Sequence, residues 1–184
     1  GGSFRGLRRT SDQDNFALAI LIFRLLMMGR HPYDGVMHAG HDLTMTQRIQ
    51  HFMYAYGPDA RRQGIAPPPL GVAPAILPPP MTTLFERAFT RPVGSLTLRP
   101  TARDWHTALG DLFKSLSRCP HESAHRYFRD LASCPWCEFE RKGLVLFVAT
   151  QGRHDFDLAP VWEAILAVSS PGPAPAVVPP FSDG

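Results

Sequence analysis

Three cysteines fall within nineteen residues of this chain with a histidine among them, in the order Cys119, His125, Cys134 and Cys137, and no other feature constrains its folding as tightly. Cys134-Pro135-Trp136-Cys137 is a CxxC pair; Cys119 and His125 stand upstream at C-x5-H, separated from it by eight residues. Three thiolates and one imidazole complete a closed tetrahedral shell for Zn²⁺ and leave no position for a reactive water. The ion is therefore read as structural rather than catalytic. His121 is the alternative fourth ligand. It lies only two residues from Cys119, which strains a chelating loop, whereas His125 has room to return, so His125 is preferred.

Other uses of the cysteines fit less well. A redox CxxC needs a thioredoxin-like βαβ setting, and none is visible around these residues. A disulfide framework would strand one thiol of three, and no signal-peptide pattern opens the sequence. Core cysteines would sit poorly in so polar and Arg-rich a stretch. The setting expected is a reducing cytoplasm. The net charge of +3, from 19 basic and 16 acidic residues, is too mild to demand a nucleic-acid partner, and no block of like charges forms a basic arm. The longest apolar stretch, Phe16 to Met28, is thirteen residues long and contains Arg24, too short to span a membrane. Nineteen prolines, concentrated in 67–80 and 171–180, mark a connecting loop and a trailing linker, because proline continues neither a helix nor a central strand.

Helical patterning dominates the first two thirds, after a stretch over 1–9 with no periodic signal. Thr10 and Gln13 stand at capping-box spacing, with Asp14 in the first turn. From Phe16 the helix is apolar almost all round, which predicts a central element packed on several sides and ended by Gly29 as the C′ residue. A second helix is predicted over 43–56, with Met45, Ile49, Phe52, Met53 and Tyr56 on one stripe. A third covers 81–90. Thr101 opens a fourth as N-cap, with Asp104 three residues on and a stripe of Trp105, Leu109, Leu112, Phe113 and Leu116. Beyond the cysteines, Gly143 to Val148 reads as a strand or hairpin arm. Pro160 begins a last helix carrying Val161, Trp162, Ile165, Leu166 and Val168. Tyr127, Phe128, Leu131 and Trp136 supply the small apolar core that a metal module needs; Trp136 as a docking residue is the alternative.

The segment Ser11-Asp12-Gln13-Asp14-Asn15-Phe16, running to Gly29-Arg30-His31-Pro32-Tyr33, resembles the central helix of a protein-kinase C-terminal lobe, with Asp14 and Ala19 at the matching positions and one extra residue before Gly29. Arg99-Pro100-Thr101-Ala102 resembles the opening of a late helix of that lobe, and Leu84 to Phe89 sits where the preceding helix belongs. With the cysteine cluster added, the order is similar to a bacterial group of kinase-like proteins. That group is described as carrying helix-hairpin-helix DNA-binding regions, and is encoded beside tellurite-resistance-type von Willebrand A (TerY-like) proteins and PP2C-type phosphatases. The resemblance covers about residues 10–168.

That resemblance implies a mainly α chain: a partial kinase C-lobe over 1–117, a zinc-finger module with a short β element over 118–150, and a C-terminal helix with a Pro-rich linker over 151–184. It also implies structural roles for Asp14, which would anchor a catalytic loop, and for Arg99, which would pair with a glutamate ending the activation segment. The sequence holds no Gly-rich loop with a strand lysine, no HRD-type loop and no DFG aspartate, the parts on which phosphoryl transfer depends. The expectation is a fragment without catalytic residues or a nucleotide site, from a parent Ser/Thr protein kinase, acting as a zinc-stabilised docking or regulatory module for the von Willebrand A partner. A zinc-finger nucleic-acid binder is the alternative. In the fragment Arg99 needs a substitute acid, Asp12 or Asp14, since a buried charge stripped of its partner costs about 3–5 kcal/mol.

Overall fold

Helix α1, Ser11–Leu26, starts where Thr10 accepts the N–H of Gln13 and the Gln13 side chain returns to the Thr10 N–H, a complete capping box. The computed structural model describes residues 10–38, 43–69, 71–90 and 99–144, with Glu163 and Ala167 as isolated helical positions beyond them. Residues 1–147 belong to one compact unit and 148–184 to another. The elements run α1, strand β1 (Val36–Met37), α2 (Met45–Gln50), strand β2 (Ile65–Ala66), a 3-10 turn (Pro74–Ile76), α3 (Pro79–Phe89), α4 (Ala102–Lys114), β3 (Leu116–Arg118), β4 (Arg126–Phe128) and α5 (Pro135–Arg141). The chain is mainly helical, and among the described residues there are two small sheets, each an antiparallel pair, β1 with β2 and β3 with β4.

The core is aromatic. Phe23 of α1 meets Phe85 and Phe89 of α3 edge-on, with ring centroids 5.0 and 5.7 Å away, and Phe85 passes the contact to Trp105 of α4 at 5.0 Å. Tyr33 is fully buried and donates its hydroxyl to the Phe89 carbonyl at 2.8 Å, so the turn after α1 is fastened to the end of α3. Burial pushes the Tyr33 and Tyr54 hydroxyls well above the ordinary tyrosine range. Gly35 lets β1 approach β2: a Cβ there would lie 2.6 Å from the Ala66 carbonyl oxygen. Arg48 holds the same region, donating to the carbonyls of Leu43 and Gly35.

Several sequence expectations are corrected. Helix α1 is buried on one side only: Ala19, Ile22 and Phe23 are inside, whereas Leu21 and Leu25 are 56% and 71% exposed. It ends before Gly29. Met28 takes the left-handed conformation at φ +51, and Gly29 follows at φ +83, donating its N–H to the Arg24 carbonyl. Helix α2 stops at Gln50, not at 56, because Phe52 turns left-handed at φ +54 and Met53 donates back to the Arg48 carbonyl. Met45 is correspondingly exposed. Helix α3 begins at Pro79, two residues early, since a proline in the first turn gives up an N–H that has no helical acceptor. Phe113 leaves the α4 stripe and is 78% exposed.

The β element among the described residues precedes the CxxC pair as the β3–β4 hairpin. Gly143 lies in a turn at φ +81 and Leu144 in no element. The rest of the expected arm, Val145 to Val148, lies outside the described residues, as do residues 1–9, the apolar positions of the helix expected after Pro160, and the Pro-rich tail. Among the described residues, no helix is long and apolar enough to cross a membrane.

Emptying the ring cluster with Phe23→Ala is expected to cost about 3–5 kcal/mol, whereas Phe113→Ala should stay within about 0.5 kcal/mol. Urea unfolding of the two variants checks the assignment, and equal losses would refute it. Thr101→Ala should cost about 1 kcal/mol by removing the N-cap of α4. The Thr101 backbone N–H, then its hydroxyl, hold the Asp104 carboxyl below its usual range. Asp104 therefore stabilises the fold above the ordinary aspartate pKa, and this contribution fades as pH falls through the lowered folded value.

Candidate metal centre

The β3–β4 hairpin exists to bring two distant donors together. Leu116 pairs with Phe128, Ser117 with Tyr127 and Arg118 with Arg126, and the next rung is the Cys119 N–H donating to the His125 carbonyl at 3.2 Å. Cys119 and His125 thus face each other across the hairpin mouth. After β4 the chain turns into α5, with Cys134 at its N-cap and Cys137 one turn on. The Trp136 indole N–H donates to the Arg126 carbonyl, tying that helix to strand β4. Trp136 is buried, in the same continuous apolar core as Phe23, Phe85 and Trp105, together with Cys119 and Cys134.

The donor atoms of Cys119, His125, Cys134 and Cys137 all lie within 4.8 Å of one another. Cys119 Sγ is 3.5 Å from Cys137 Sγ, and His125 Nδ1 is 3.4 Å from Cys137 Sγ and 3.7 Å from Cys134 Sγ. Zn–S bonds of about 2.3 Å at tetrahedral angles place two sulfurs about 3.7 Å apart. The observed separations match that shell, and all three thiols are free of disulfides. These four residues can hold a metal ion. His121 enters differently: its backbone N–H donates to Cys119 Sγ at 3.4 Å, and its imidazole is not among the four donors.

Cys119 and Cys137 compete for charge. Burial pushes the Cys119 thiol up, but the backbone N–H groups of His121 and Glu122, with the thiols of Cys137 and Cys134, outweigh it and bring Cys119 down to about 6. The hydrogen bond that Cys137 donates to Cys119, followed by burial and by Cys134, pushes Cys137 up to about 12. One sulfur ionises readily at the expense of its neighbour, and a cation among them removes the conflict. A cavity of ≈ 760 Å³ opens beside Cys134 and Cys137, with Tyr127, His121 and Arg141 on its walls.

The two residues tied to the kinase-like resemblance lie elsewhere. Arg99 donates through Nε to the Ala88 carbonyl at 3.1 Å, pairs through Nη1 with Asp12, and lies 4.7 Å over the Phe16 ring. Asp12, one of the two acids expected as substitutes, is its partner. Asp14 is exposed on the first turn of α1. Sequence reasoning missed the hairpin, whose three-residue strands are too short to display an alternation. It also missed Glu140, whose Oε1 lies 3.2 Å from His125 Nε2; nothing in the sequence separates this acid from any other surface glutamate.

No family model matches the chain, and no solved structure matches it. The chain is 40% identical, over 191 aligned residues covering 98% of its length, to the protein kinase YegI of Escherichia coli O157:H7. It is 40% identical over 190 residues to the protein kinase YegI of Escherichia coli K12. In both cases it spans 28% of the relative's length. The chain is thus kinase-like in the sense of resembling one segment of a bacterial protein kinase, and within it Cys119, His125, Cys134 and Cys137 form a cluster that could hold a metal ion.

Proposed function

We propose that this chain is a zinc-stabilised, non-catalytic docking or regulatory part of a bacterial Ser/Thr protein kinase. The convergence of Cys119, His125, Cys134 and Cys137 carries the reading, because three sulfurs and one imidazole at tetrahedral separations suit Zn²⁺ and leave no open coordination position. The ion would fasten the hairpin to α5, and its binding energy would become folding energy for a module with few apolar side chains of its own. The likeness to YegI over 98% of the chain supports the kinase context. The absence of a Gly-rich loop, an HRD-type loop and a DFG aspartate from these 184 residues supports a non-catalytic role for them.

A docking role draws on the surface. Leu21 and Leu25 are exposed one turn apart on α1, Met28 is exposed in the turn after it, and Phe113 stands exposed on α4. Exposed large apolar side chains grouped on an element favour a protein partner. The partner proposed is the tellurite-resistance-type von Willebrand A (TerY-like) protein, with a PP2C-type phosphatase in the same system, and the setting is cytoplasmic.

Metal analysis of the purified chain should give one zinc per molecule, lost in Cys134→Ser together with the hairpin and α5. A Cys134→Ser variant that keeps its zinc and its melting behaviour would overturn the metal assignment. Calorimetric titration of the chain with ATP–Mg²⁺ should show no binding, and titration with the purified von Willebrand A protein should show saturable heat. Measurable ATP affinity removes the docking-only account; no heat with the von Willebrand A protein removes that partner.

A further inference from the structure

His125 has a front and a back. Its ring is fully buried, with Nδ1 turned toward the sulfurs of Cys137 and Cys134 at 3.4 and 3.7 Å. Nε2, on the opposite edge, lies 3.2 Å from Glu140 Oε1. A neutral imidazole carries a single N–H, so the nitrogen that lends its lone pair to a metal leaves the proton on the other. An acceptor fixed behind the ring therefore decides which nitrogen is free to coordinate.

We infer that Glu140 is the positioning residue of this centre: its carboxylate accepts the Nε2–H of His125, so that Nδ1 is held as the metal-binding nitrogen. The inference rests on the zinc reading above. Helix geometry supports it independently of that contact. Cys137 and Glu140 are three residues apart on α5, hence on one side of the helix. One turn of backbone thus delivers a sulfur to the metal and a carboxylate to the back of the histidine. The neighbouring acid on α5, Glu138, is otherwise engaged, paired with Lys142 Nζ at 2.8 Å. Arg126, on the hairpin rung next to the connecting loop, donates to the carbonyls of Ser123 and His125. The polypeptide on either side of the ring is thereby fixed while Glu140 fixes the ring itself. Carboxylates or carbonyls behind a coordinating histidine orient it and raise its basicity, and their loss typically weakens metal binding 10–100-fold.

Zinc affinity measured against a competing chelator at pH 7.5 tests the idea in the full chain. Glu140→Ala should bind about 10–100-fold more weakly. Glu140→Gln, whose amide oxygen still accepts, should recover part of the loss, and Glu138→Ala should match the parent protein. The second readout is the ¹⁵N imidazole spectrum of the zinc-loaded parent protein, expected to show His125 protonated at Nε2 and metal-bound at Nδ1. A spectrum with Nε2 on the metal overturns the inference, as does a Glu140→Ala protein with parental affinity and unchanged ring resonances. If the parent chain binds zinc, and loses it in Cys134→Ser, while Glu140→Ala has no effect, only this inference fails. If the parent chain binds no zinc, the metal reading fails first and carries the inference with it.

Discussion

Three sulfur atoms and one imidazole nitrogen crowded within 4.8 Å of one another are the constraint that ties the β3–β4 hairpin to α5. Lowering one thiol raises its neighbour, so an ion-free cluster is a compromise between protonation states. A divalent cation turns the compromise into a favourable interaction. An ion bound there would be coupled to the rest of the fold, because Cys119, Cys134 and Trp136 lie in the same apolar core as the rings of α1, α3 and α4. The donor cluster and the helices are parts of one packed interior.

A second electrostatic anchor works by different means. Arg99 is only partly exposed, at 21% of its side chain, and meets an acid, a carbonyl and an aromatic face together. The carboxylate comes from α1, the carbonyl from the end of α3, and Arg99 itself stands just before α4. Three helices therefore share one guanidinium, whose planar fork of donors suits such divided attention better than the single ammonium of a lysine. Half-exposed pairs of this kind add little stability by themselves. Their value lies in fixing the angle at which elements meet.

How far the sequence could be read depended on whether a signal was local. Thr10 with Gln13 and Thr101 with Asp104 announce helix starts within four residues, and both caps form as the spacing implies. The convergence of the four metal donors was legible for the same reason, since CxxC and C-x5-H are short-range patterns. Helix ends were less legible, because two of them turn left-handed on Met28 and Phe52 instead of on glycine. A left-handed turn on a residue with a Cβ is disfavoured locally, so no sequence pattern marks these two ends. The one-sided burial of α1 was legible only through the kinase-like resemblance, which implies apolar area left uncovered on the central helix; composition alone reports that Leu21 and Leu25 are apolar, not which side is exposed. Glu140 was invisible in principle, as its role depends on where a hairpin twelve residues upstream places a ring.

Trp136 gives the molecule a built-in gauge. Its indole is wedged in the interior against Phe139, with its N–H given to a β4 carbonyl and a thiol immediately on each side of the Pro-Trp dipeptide. Heavy-atom contacts govern indole emission, and an ion held by the neighbouring sulfurs would alter them. The optical signal of this one ring would therefore follow occupancy of the centre in real time, without any attached dye.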